Sequence, residues 1–180
     1  MVKSKNEQRI DNWCMRENFE PPLVLELTRV LLEHFRSGLK ISDMFHPNLK
    51  EEDLKKQKDT MRRDFLEAIR LPVDDSLDLQ DRLFQELRDC PWMRPLIEQV
   101  LVEIAATVDE GQLYKRIIEN YYMNDNPMSN DEMTRAENLS SASIERKKRE
   151  AIKCFGISMY RYAYRRECEE SEKESNNGSK

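Results

Sequence analysis

Apolar residues along this chain return at intervals of three and four rather than two, a spacing that predicts helices and not strands. After Pro21-Pro22, the residues Leu23, Val24, Leu27, Val30, Leu31 and His34/Phe35 trace one helix face, with Pro near the first turn and Ser37-Gly38 as the expected stop. Residues 41–48 read as a connector punctuated by Pro47. A second helix is expected over 49–69, where Leu54, Met61, Phe65, Ala68 and Ile69 recur; acidic residues at its front and Lys55-Lys56 behind suit the helix dipole. Pro72 ends it, and Asp74-Asp75-Ser76 offers a cap for a helix over 77–88. Beyond the break at Cys90-Pro91-Trp92, a broad apolar stripe through Leu96, Ile97, Val100, Leu101, Ile104 and Ala105 marks a helix over 93–108, placed at the centre of an N-terminal core. Asp109-Glu110-Gly111 reads as a turn, and a further helix over 113–123 carries Tyr114, Ile117, Ile118, Tyr121 and Tyr122.

Composition strengthens the helical reading. Glycine is scarce, and charged residues reach 36%, against roughly 25% in an ordinary globular protein. The expected fold class is therefore all-α, a helical N-terminal module followed by a C-terminal helix-turn-helix. Residues 1–20 read as a flexible arm docking by Trp13, 21–123 as an acidic helical module, 128–166 as the helix-turn-helix and 167–180 as a disordered tail.

The chemistry concentrates after Asn124-Asp125-Asn126-Pro127, the best linker. Ser129 suits an N-cap, with Asp131 and Glu132 in the first turn behind it. Asn138-Leu139-Ser140 makes a short turn with Leu139 as its buried pin, and Ser140 caps a second helix whose apolar side is Ile144, Ala151, Ile152 and Phe155, stopping at Gly156. Two helices so joined form a helix-turn-helix, whose second helix enters the major groove of DNA. Its outward side is expected to offer Ser141, Ser143, Arg146, Lys147, Lys148, Arg149 and Lys153, with Arg146 placed for a bidentate contact to guanine. Residues 141–166 hold eight Lys and Arg against two Glu, in a chain whose formal net charge is −5. That local basic excess is what phosphate binding requires. Tyr160, Tyr162 and Tyr164 read as one face of a third packing helix.

The stretch resembles sigma factor region 4 through Asp131-Glu132-Met133, Leu139-Ser140, Ile144-Glu145-Arg146 and Ala151-Ile152, and is still more similar to phage regulators of the ArpU type through residues 143–156. The resemblance covers about 40 residues and implies double-stranded DNA as partner and transcription regulation as function. Thr134, Glu137 and Lys147 depart from its pattern, the last two at positions that are often apolar. The N-terminal module is left to contact RNA polymerase, another protein or a second copy of the chain. A protein-interaction adaptor, its basic helix docking an acidic partner, is the competing reading.

Other classes are disfavoured. The chain has no G-x-x-x-x-G-K, G-x-S-x-G or H-E-x-x-H motif, so no catalytic residue, cofactor or metal is assigned and an enzyme is not expected. Cys14, Cys90, Cys154 and Cys168 form no C-x-x-C pair and read as free thiols. No apolar run approaches the roughly 20 residues that span a bilayer, and residues 1–16 lack the apolar core of a signal peptide. A cytoplasmic location without membrane contact is expected.

Overall fold

The computed structural model describes residues 3–42, 51–68 and 93–177. Their order is α1 (Lys5–Arg16), α2 (Pro21–Ser42), α3 (Glu51–Ala68), α4 (Met93–Thr107), α5 (Gly111–Ile118), a π-helical segment (Glu119–Met123), α6 (Asn130–Glu137) and α7 (Ser141–Asn177). Among the described residues there is no strand, and the fold is all-α. None of their helices is long and apolar enough to cross a membrane. The expected helix over 77–88, and most of the expected 41–48 connector, lie outside the described residues.

The first departure from expectation is at the N-terminus, where residues 5–16 are an ordered helix and not a flexible arm. Ser4 caps it by accepting a hydrogen bond from the Glu7 backbone N–H, and Ile10, Asp11 and Cys14 turn inward. Its buried face mixes an aspartate with two apolar residues, so the apolar spacing alone does not reveal it. Trp13 packs partly buried against the core, as anticipated.

The second departure concerns α7, which passes through Gly156 and ends only at Asn177. Every residue from 150 to 157 is buried, because α1, α2, α3, α4, α5 and α6 all pack against this helix. A helix buried all round is a core element, not a surface one. α4 keeps its apolar stripe buried in the same core, against α5 and α7. Core residues before and after the 124–127 linker form one cluster, from Ile10 to Ala163, so the linker does not divide the core. The tyrosines belong to the same helix: Tyr160 meets Phe19 edge-on with ring centres 4.3 Å apart, and Tyr164 is exposed. Residues 167–177, expected to be disordered, continue α7, with Glu167 accepting from Arg62 and Arg63 of α3. α2 likewise runs past Gly38 to Ser42.

Two glycines serve close approach rather than helix termination. A Cβ on Gly156 would lie 2.0 Å from Thr28 Oγ1 and 3.0 Å from Val24 Cγ1, both on α2. At Gly111 it would lie 2.0 Å from the Ile104 carbonyl oxygen. The left-handed residue of that turn is Glu110, at φ 61°. Gly156→Ala should therefore destabilise the chain: overpacking costs about 1–3 kcal/mol, and the gain in helix propensity offsets only about 1 kcal/mol of it. Urea unfolding of G156A, T28A and the double variant checks this. The double variant should recover part of the loss, since Thr28 supplies the nearest atom.

Candidate nucleic-acid interface

α6 and α7 are joined by a three-residue turn with signals at both sides. Ser129 and Glu132 form a reciprocal capping box, the Ser129 hydroxyl accepting from the Glu132 N–H and the Glu132 carboxylate accepting from the Ser129 N–H at 2.7 Å. Asn138 adopts the left-handed conformation that ends α6. Ser140 then caps α7, its hydroxyl accepting from the Ser143 N–H at 3.2 Å. Ser140 also donates to the Ser143 hydroxyl at 2.9 Å, so Ser143 takes part in the cap. Leu139 is half-buried against the core.

The residues that depart from the helix-turn-helix pattern are explained by their partners. Glu137 accepts two hydrogen bonds from Arg116, at 2.8 and 2.7 Å, tying α6 to α5. Thr134 donates back to the Asn130 carbonyl at 2.7 Å. The π-helical segment places Tyr121 to donate to Asn130 at 2.6 Å, and Asn130 donates in turn to Glu145 of α7. Through Asn130 the π-helical segment, α6 and α7 are joined in one chain of hydrogen bonds, while Glu137 ties α6 to α5.

Two of the seven expected DNA contacts are corrected by their burial. Lys147 is 8% exposed and Lys153 4% exposed. Lys147 is held by Glu150 at 2.9 Å and by Glu110. Burial lowers its pKa, and the two carboxylates more than offset that, leaving the ammonium above its ordinary value. Lys153 lies between Asp11 and Glu7 of α1, the latter at 3.5 Å. The cause is register. Residues 147, 150 and 153 fall near one face of the helix, and that face meets α1 and α5. A burst of Lys and Arg in the sequence suggests a solvated surface, but α1 and the α4–α5 turn supply the acids that let these lysines face inward.

Glu150, itself 0% exposed, is the hub. It accepts from Ser4 at 2.5 Å and from the Tyr114 hydroxyl at 2.9 Å, besides Lys147. Burial, then the negative charge of Glu150, push the Tyr114 phenol upward in pKa. Lys148 is half-buried, with its charged end over an aromatic ring. Its ammonium sits 4.0 Å from the centre of the Tyr121 ring, an arrangement favoured by the ring's negative face. Burial lowers its pKa, against the raising influence of Glu145 and Glu33.

What remains facing outward is a short stripe at the front of α7. Ser141 and Ala142 are exposed, and Arg146 and Arg149 are half-buried. Arg149 makes no ion pair among the described residues, and Arg146 points its Nε to within 4.0 Å of Glu150. Ala142, absent from the expected set, joins Arg146 and Arg149 at intervals of four and three. That spacing was available in the sequence, but a small apolar residue gives no charge signal.

Comparison with protein-family models, curated proteins and solved structures returns no match. Among the described residues no group of three His, Cys, Asp or Glu could hold a metal ion. Cys14 and Cys154 are buried free thiols, and Cys168 is exposed.

The same clasp of α1 on α7 sets a pH dependence. Burial raises the Asp11 pKa, but hydrogen bonds from Lys153 and Lys3 and their charges outweigh it and hold the carboxyl below its ordinary range. A depressed carboxylate contributes stability that is present above its unfolded pKa, about 4, and is lost as pH falls through the folded value. Asp11→Asn should therefore be less stable than the parent at neutral pH. The gap should close as pH falls below about 4, measured by urea unfolding across pH.

Proposed function

We propose that this chain is a sequence-specific DNA-binding transcription regulator that places the first turns of α7 in the major groove. The observation that carries this reading is the outward stripe Ser141, Ala142, Arg146 and Arg149 on a helix held by a capped three-residue turn. The resemblance of the stretch from Asp131 to Gly156 to sigma region 4 and ArpU-type regulators supports it.

The roles follow from chemistry. Arg146 has the planar fork that pairs with guanine O6 and N7, Ser141 can bond either a base edge or a phosphate, and the Ala142 methyl suits the thymine methyl. Arg149, one turn further back, meets a phosphate. Lys147 and Lys153 are withdrawn from the interface and serve the fold. In this reading α1 and α5 brace the recognition helix, through Glu150 and the lysines beside it.

The test is selection of duplexes from a random-sequence pool by the full chain at about 0.15 M salt. A recovered consensus a few base pairs wide is the expected outcome; a pool that leaves with no enriched sequence would overturn sequence-specific binding.

A further inference from the structure

α1 and α7 run side by side in the same direction. Ser4 bonds Glu150, Asp11 pairs with Lys153, and Glu17 lies 3.6 Å from Arg161, so the order of contacts rises along both helices. The beginning of α1 therefore lies toward the groove-facing end of α7. Ser4 Oγ and Arg146 Nε approach the same carboxylate oxygen, Glu150 Oε1, at 2.5 and 4.0 Å. The start of α1 thus stands directly beside the residue assigned to base reading.

The level at which they meet matters. Glu150 is nine residues beyond Ser141, or about 13 Å along a helix rising 1.5 Å per residue. A recognition helix lies in the major groove with its first residues at the base edges, so the level of Glu150, about two and a half turns further on, is directed toward the sugar-phosphate ridge that borders the groove. Two lysines flank Ser4 there. Lys5 is exposed, and the Lys3 side chain is 58% exposed. Lys3 spends its ammonium on Asp11 at 2.7 Å, but Asp11 keeps Lys153 if Lys3 swings away. Each carboxylate at this level has a cationic partner, two of them shared: Glu110 and Glu150 share Lys147, Glu7 and Asp11 share Lys153, and Asp109 pairs with Arg9.

Resting on the DNA-binding reading above, we infer that Lys3 and Lys5 form a second contact with the duplex, gripping the backbone phosphates of the strand that borders the groove holding α7. Such a contact reads no sequence; it adds affinity and fixes the angle at which α7 enters. α1 would then link the buried clasp on Glu150 and Lys153 directly to the DNA-facing surface.

Binding of the full chain to two probes decides this: the duplex recovered by selection, and a random-sequence duplex of equal length. Each is titrated across a range of salt, with the parent, K5Q and K3Q/K5Q. Removing one lysine from a phosphate should reduce the slope of log affinity on log salt by about 0.9. K5Q should show one such step and the double variant two, on both probes alike, with the ratio between the two affinities unchanged. Lys5 makes no ion pair among the described residues, so K5Q reports even if loss of Lys3 loosens α1. Parental slopes in both variants, with binding by the parent intact, would overturn the second contact and leave the helix-turn-helix reading standing. A change in the affinity ratio would overturn it too, because it would make these lysines sequence readers. No salt-dependent binding by the parent to either probe would remove both proposals.

Discussion

Replacing Glu150 by alanine is expected to destabilise the chain by about 3–5 kcal/mol, the usual cost of breaking a buried ion pair from one side. The carboxylate is wholly buried and holds the Lys147 ammonium, the Tyr114 hydroxyl and the Ser4 hydroxyl. Alanine leaves all three without that partner. Lys147 retains Glu110, and Tyr114 keeps only the longer bond to the same carboxylate, at 3.4 Å, although both residues stay buried. Glutamine should be milder, since it keeps an acceptor for Tyr114. A triple change to K147M/E150M/Y114F should recover most of the loss, because it removes the polar groups together rather than stranding them. Urea unfolding of the three variants measures each step. A loss below about 1 kcal/mol for E150A, the scale of an exposed pair, would mean that the hub is solvated and contributes little.

That prediction bears on function as well as stability. Glu150 joins α1, α5 and α7 in one network and stands within reach of Arg146, so it helps define where the front of α7 points. A destabilised Glu150 variant should also show faster amide exchange in α1, measured by hydrogen–deuterium exchange, since Ser4 is the N-cap of that helix.

Much of this arrangement was legible in the sequence, for identifiable reasons. The capping pair Ser129 and Glu132, the turn at Asn138 and the cap at Ser140 each act within a few residues, and local chemistry suffices to find them. Apolar spacing located α2, α3, α4 and α5 in the same way. What sequence could not supply was the identity of distant partners. Lys147 and Lys153 look like solvated cations until Glu110 and Asp11, more than 30 and 140 residues away, are seen to face them. Gly156 looks like a stop until Thr28 arrives against its bare Cα. The acidic tail looks disordered until Arg62 and Arg63 meet Glu167. In each case a tertiary contact overrides the ordinary local habit of a charge or a glycine. The buried lysines also correct the electrostatic picture. The basic excess of residues 141–166 is real as a count, but part of it is neutralised inside the fold. The cationic surface is narrower than composition implies.

The narrower surface makes the central claim sharper, because few side chains must carry the binding. Removing Arg146 and Arg149 together should cost about 1–3 kcal/mol for the bidentate base contact and about 1.5–3 kcal/mol for a charge-assisted bond to phosphate. Together these correspond to a fall in affinity of roughly 70-fold to 20,000-fold. Both side chains are half-buried at the front of α7, and the buried Arg146 Nε, 4.0 Å from Glu150, makes no hydrogen bond that its loss would break. R146A/R149A should therefore unfold within about 0.5–1 kcal/mol of the parent. The decisive measurement is fluorescence anisotropy of the selected duplex with the parent and this double variant, at one fixed salt concentration. Loss of affinity in that range by a folded R146A/R149A is the expected result, and parental affinity in a folded R146A/R149A would contradict it.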